Sequence, residues 1–331
     1  MNMTRYMKFA PAALGMMLSL TGCKNGDAEF SDSENGTTAY FSYQYPVRTI
    51  ILGDDESDTS LDKQHKCQIK ATFGGSRKGS NGTLTVQVDP TLADDLTFAD
   101  GSPVKAMPDS YYTLSTNKLA FNGTYQGATT VQLTDDFFND PDAVKNTYVI
   151  PLVITESTGF TRVASGTPKS GFTNPKRTDD KAWQVYPQDY VLYCVKFQNK
   201  YSGWWITNHT PSTDNIEKAS QVEITTRSLH SSVYRVTYQN GTTVNTADLL
   251  LTFDDNENCT VSSLTTGVTA TGSGKYTDNG EKNSWNEKDR DAIDLKYTVT
   301  FADGYSKTVD ERLVWWRSGV KSEVFSPIYT K

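Results

Sequence analysis

Apolar and polar residues alternate with a period of two along much of the chain. In GTLTVQVD, Leu84, Val86 and Val88 share one face and Thr85 and Gln87 the other. DLKYTVTF repeats the pattern, with Leu295, Tyr297, Val299 and Phe301 opposed to Asp294, Lys296, Thr298 and Thr300. Successive side chains of a strand point to opposite faces, so this alternation predicts strands with one face buried. VYRVTY and QVEIT alternate in the same way, while TYVIPLVIT and DYVLYCVKF are continuous β-branched or aromatic runs. Asn81-Gly82, Asn122-Gly123, Asn240-Gly241, Asn279-Gly280 and Asp303-Gly304 fall between such segments, and these residue types tolerate the positive φ of hairpin turns. Helical periodicity is nearly absent; one short helix is predicted from Asp135 to Ala143, limited by Pro141. The predicted class is all-β.

The period fails from Ala164 to Gln188, which is crowded with Gly, Pro, Ser and charge and reads as an interdomain linker or a long ordered loop. With 331 residues, the chain accommodates two domains. Residues 37–165 suit an N-terminal immunoglobulin-like β-sandwich, residues 166–188 the linker, and residues 189–331 a C-terminal antiparallel barrel or larger sandwich.

The N-terminus belongs to neither. Arg5 and Lys8 precede a mostly apolar run from Phe9 to Leu20, too short for the ~20 apolar residues of a spanning helix and of signal-peptide length. Leu20, Thr21, Gly22 and Cys23 look like a bacterial lipobox, so residues 1–22 are expected to be a lipoprotein signal peptide and Cys23 the site of lipid attachment. Residues 23–36 are too polar to bury a core and read as a flexible tether. The expected mature chain is held to a membrane by its lipid without crossing it.

Charge and chemistry narrow the function. A net charge of -7 with no block of Lys or Arg argues against nucleic acid. Cys67, Cys194 and Cys259 are an odd number at wide spacing, so at least one thiol is unpaired and buried filler is their expected role. GSGKYT fails the phosphate-loop pattern, since Thr269 stands where the first Gly is needed and Tyr276 follows Lys275; it reads as a strand-turn device. His65, His209 and His230 form no metal motif and there is no G-x-S-x-G elbow. FDDNENC lacks EF-hand spacing and reads as a solvated hairpin. No catalytic residue, metal or cofactor is expected.

What remains is aromatic. Sugar rings stack their C–H faces on Trp and Tyr, with polar side chains nearby to receive hydroxyls. Neighbours on a strand face opposite ways, so one member of Trp204-Trp205 and one of Trp315-Trp316 should fill a core and the other face outward. Trp285 lies in the polar stretch DNGEKNSWNEKDRD beside Asn283, Asn286 and Asp289. These eight residues, Trp285 first, are the candidate glycan contacts.

Two stretches carry a family resemblance. Residues 107–155, through Tyr111, Tyr112, Gly127, Leu133, Thr134, Asp135, Tyr148, Val149, Pro151 and Leu152, resemble the N-terminal β-sandwich of Bacteroidota surface lipoproteins from Sus-like glycan-uptake systems. Gly272, Gly274, Lys275, Tyr276, Ser284, Trp285, Leu313, Val314, Arg317, Gly319 and Val320 resemble the lipocalin-like C-terminal β domain of the same lipoproteins. The resemblance implies a non-catalytic lipoprotein of the outer membrane, facing the cell exterior, that binds oligosaccharide or polysaccharide and works with an outer-membrane glycan transporter complex. A glycoside-active enzyme and a structural or adhesin-type surface lipoprotein without a sugar site are the alternatives.

Overall fold

The structure, a computed structural model, describes residues 32–207 and 220–331. Cys23 and the predicted signal peptide lie outside the described residues. The all-β expectation holds, in two bodies: a β-sandwich and a closed barrel of eight strands.

One sheet of the sandwich runs, in spatial order, Arg162–Val163, Thr38–Tyr40, Lys66–Gly74, Gln126–Leu133 and Tyr112–Leu114. The facing sheet runs Glu323–Val324, Pro46–Ile51, Tyr190–Gln198, Tyr148–Thr158, Thr83–Val88 and Lys118–Ala120. Phe41, Ile69, Leu84, Leu119, Phe121 and Ile150 are buried between them. The predicted helix forms over Asp135–Asn139 and stops at the extended Asp140, whose carboxylate accepts from the Asp142 N–H at 2.8 Å and caps a separate 3-10 turn over Pro141–Val144. Its Phe137 and Phe138 reach the core.

The strand Tyr190–Gln198, just past the predicted boundary at 189, pairs within the sandwich sheet, parallel to Pro46–Ile51 and antiparallel to Tyr148–Thr158, before the chain enters the barrel. Its continuous apolar run explains why: Val191, Val195 and Phe197 face one core, Tyr190, Leu192 and Cys194 a second. A strand apolar on both faces must be covered on both. The segment before it is an ordered loop rather than a free linker. Trp183 is buried and donates from Nε1 to the Lys176 carbonyl at 2.9 Å, and Arg177 makes two 3.0 Å hydrogen bonds to the buried carboxylate of Asp189. The C-terminus also returns to the sandwich, where Phe325 packs with Phe98 and Ile328–Tyr329 pairs with Leu96–Thr97.

The barrel is an up-and-down meander of Gly203–Thr207, Gln221–Ser228, Ser231–Asn240, Thr243–Phe253, Asn258–Ser263, Thr269–Glu281, Arg290–Thr300 and Ser306–Arg317. The first strand pairs with the last to close it, the architecture of lipocalin-like barrels. Inward side chains fill it, Tyr201, Trp205, Tyr234, Tyr276, Tyr297 and Trp315 among them. GSGKYT lies wholly within a strand and makes no turn. A Cβ on Gly272 would lie 2.4 Å from the Tyr297 Cβ, and one on Gly274 2.6 Å from Leu295, so the glycines leave room for those two inward residues. Asn279-Gly280 is likewise no hairpin. It is a bulge within Thr269–Glu281, with Asn279 at φ 49° and its N–H held by the Asp291 carboxylate at 2.8 Å.

A polar cluster joins the two bodies. The Asn199 side-chain amide donates to the carbonyls of Ser228 and Ser231 at 2.8 and 3.0 Å, and the Ser232 hydroxyl donates to the carbonyl oxygen of the same side chain at 3.2 Å; Asn199, Ser231 and Ser232 are buried at the barrel end next to the sandwich. Ser318 donates to the Asp55 carboxylate at 2.6 Å, from barrel to sandwich. Cys67, Cys194 and Cys259 are all buried free thiols, each pushed up to about 12 by burial.

Candidate functional site

Strand alternation sorts the paired tryptophans. Trp205 and Trp315 stand opposite each other across the barrel seam and point inward, 0% and 5% exposed. This removes both from the candidate contacts, because their rings are core. Trp204 and Trp316 are partly exposed on the outer wall.

Arg317 organises those two outer rings. Its guanidinium lies 4.2 Å from the Trp316 centroid and 5.6 Å from that of Trp204, within cation–π range of both. Gly319, at φ 75°, abuts the edge of Trp204, where a Cβ would come within 2.8 Å of Cδ1 and Nε1. The Arg-Ser-Gly run thus positions the Trp204 ring and, through Ser318, ties the barrel to the sandwich.

Trp204 forms one wall of a shallow groove of about 440 Å³ along the barrel's outer face. Glu223, its cross-strand partner, lines the same groove with Gln221, Thr225, Arg235 and Asp248. Arg235 grips Asp248 through two hydrogen bonds of 2.6 and 2.9 Å, and this partner lowers the Asp248 carboxyl below its ordinary range. Glu223 and Thr225 also line a second hollow, of about 250 Å³, at the junction with the sandwich. The arrangement offers one flat indole, a carboxylate, an amide, a hydroxyl and a fixed ion pair: hydrogen-bonding groups of both polarities beside an apolar face.

Trp285 does not line this groove. It opens the turn Trp285–Glu287 between two barrel strands, with the Arg290 guanidinium 4.8 Å from its ring centroid. Asp289 holds the turn by accepting from the Asn283 N–H at 3.0 Å and the Lys282 ammonium at 2.8 Å. Asn283 and Asn286 are exposed and adopt φ of 49° and 59°. The structure brings together Trp204 and Trp316 but not the Trp285 cluster.

Sequence reasoning did not single out Gln221, Glu223, Thr225, Arg235 or Asp248. Alternation in QVEIT and VYRVTY marks most of them as outward, but their meeting depends on barrel register. The carboxyls raised by burial stand elsewhere. Asp62 is bonded by Arg48 and the Ile51 N–H, Asp291 by the Tyr276 hydroxyl and the Asn279 N–H, and Glu311 by the hydroxyls of Tyr297 and Tyr234. Among the described residues no cluster of His, Cys, Asp or Glu is placed to hold a metal ion.

Fold and groove define a two-domain all-β protein, a sandwich fused to an eight-stranded barrel with an aromatic, polar groove on its wall. Residues 188–319 match a domain of unknown function, DUF5627, and residues 32–161 match an N-terminal domain family. A structural-genomics protein of unknown function from Bacteroides ovatus shares 33% identity and a TM-score of 0.80, over 90% of this chain and 100% of that one. The chain belongs to the family that this Bacteroides protein represents. A multidomain Bacteroides ovatus protein including DUF1735 is more distant, at 11% identity and a TM-score of 0.37 over 87% of this chain and 92% of that one. A Bacteroides ovatus protein assigned provisionally to carbohydrate binding has 11% identity and a TM-score of 0.25 over 88% and 78% of the two chains, too slight a likeness to bear on ligand. No curated protein matches the chain.

Proposed function

We propose that this protein is a non-catalytic glycan-binding lipoprotein, anchored through Cys23 to the outer membrane on its exterior face, which holds oligosaccharide for a Sus-like uptake system. The observation that carries the binding part is the Trp204 groove. An indole oriented by Arg317 and Gly319 faces the same space as Glu223, Gln221, Thr225 and the Arg235–Asp248 pair. Sugars need that combination of a stacking face and polar partners. The non-catalytic part rests on the sequence, in which the histidines form no metal motif and no nucleophile elbow stands. Anchor, location and transporter partner rest on the lipobox and on the sequence resemblance.

Glycan arrays and affinity gels with the purified chain test the binding, using Trp204→Ala as the diagnostic variant. Loss of one stacking face should weaken binding about tenfold or more at unchanged melting temperature. Absence of binding to every glycan, or full binding by a correctly folded Trp204→Ala protein, overturns the reading.

A further inference from the structure

We propose a second glycan platform on the outer face of the sandwich, bracketed by Tyr43 and Tyr125 and independent of the barrel groove. The proposal rests on the glycan-binding reading above and adds a site to it.

Two depressions, of about 210 and 450 Å³, share Gln68, Lys70 and Gln126. Tyr43 lines the first and Tyr125 the second. The floor is the pair of strands Lys66–Gly74 and Gln126–Leu133, in which Lys70 lies opposite Ala128 and Thr72 opposite Gln126. The small Ala128 side chain leaves the floor open beside Lys70.

The tyrosines are far more exposed than such rings usually are, Tyr43 at 68% and Tyr125 at 51%. Tyr125 is also held in place. Its hydroxyl donates to the Arg77 carbonyl, and its ring lies nearly parallel to the buried Phe73, 19° between planes and 6.0 Å between centroids. A ring fixed from behind and open in front has little rotamer freedom left to lose on binding.

The polar groups between the rings are uncommitted. Among the described residues, the side chains of Gln68, Lys70 and Gln126 join none of the intramolecular hydrogen bonds and ion pairs of the sandwich. On the barrel's outer face, by contrast, cross-strand charges pair off as Lys296–Asp310, Arg312–Asp294 and Arg235–Asp248. Two amides supply donors and acceptors and one ammonium supplies donors, which suits the hydroxyls of a neutral sugar chain lying between two aromatic faces.

Two sites on one chain have a measurable signature. Calorimetric titration of the full chain with hexasaccharides of glucose, mannose or xylose should give a stoichiometry of two for the sugar that binds. Tyr43→Ala/Tyr125→Ala should reduce it to one, and Trp204→Ala should remove the other site. On gels cast with the matching polysaccharide, either variant should lose tenfold or more in retention, because bivalent attachment is lost. Tyr43→Ala alone, at a residue with no core role, keeps the test valid if removing Tyr125 from Phe73 disturbs the fold. A stoichiometry of one that Trp204→Ala abolishes overturns the second site and spares the first; unchanged binding by the tyrosine variants does the same. Failure of any glycan to bind overturns both.

Discussion

The guanidinium of Arg290 lies 4.8 Å from the ring centroid of Trp285 and 5.9 Å from that of Trp315, so one arginine links a surface turn to the barrel core. The polar stretch around Trp285 is therefore a built corner of the barrel.

Trp285→Ala should remove this contact and lower stability by about 0.5–2 kcal/mol. Glycan affinity should change less than twofold, against tenfold or more for Trp204→Ala. Paired melting and affinity measurements on the two variants separate the roles. A tenfold affinity loss in Trp285→Ala at preserved melting temperature would return the main site to that turn.

Trp205→Ala and Trp315→Ala should behave as core truncations. Both rings fill the barrel, so each should cost about 3–5 kcal/mol by denaturant titration. Any change in binding should follow the fraction unfolded.

Glu311 sets a pH dependence. Burial raises its carboxyl above the ordinary range although Tyr297 donates to it at 3.0 Å and Tyr234 at 3.3 Å. Between the ordinary value and the raised one, the folded protein keeps a proton that the unfolded chain has released. Stability from this group is present below that window and lost as pH rises through it. Glu311→Gln should thus melt higher than the parent at pH 7.5, with the advantage shrinking toward pH 4. A gap that is constant with pH would rule out this ionisation as the cause.

The N-terminal sandwich should not survive as residues 37–163. That fragment lacks Tyr190–Gln198, the strand between Pro46–Ile51 and Tyr148–Thr158, and would bare two strand edges and two apolar faces. It should be insoluble. In the intact chain the segment from Ala164 to Gln188 should resist protease until Asp189→Ala releases Arg177, which limited proteolysis followed by mass spectrometry would report.

If the proposed anchor is correct, Cys23→Ala should abolish lipid labelling and move the protein out of the membrane fraction. An unlabelled variant that stays with the membrane would refute the anchor.

The sequence by itself determined the elements whose signal is local. Alternation identified the strands and required the two members of each tryptophan pair to face opposite ways, because side-chain direction in a strand is set by parity alone; which member fills the core, Trp205 and Trp315, came from the structure. Asn122-Gly123 and Asp303-Gly304 turn as their residue types require, and Pro141 ends the helix. Tertiary structure decided everything that depends on which strands meet. Only pairing shows that Tyr190–Gln198 belongs to the sandwich, that Asn279-Gly280 is a bulge, and that Gly272 and Gly274 make room for Tyr297 and Leu295. The groove is of the same kind. Trp204 and Glu223 are neighbours by register, Arg235 reaches Asp248 across a hairpin, and Arg317 joins Trp204 only because the last barrel strand closes on the first. Contacts made by closing a sheet on itself leave no periodicity in the chain, so the site becomes visible only in three dimensions.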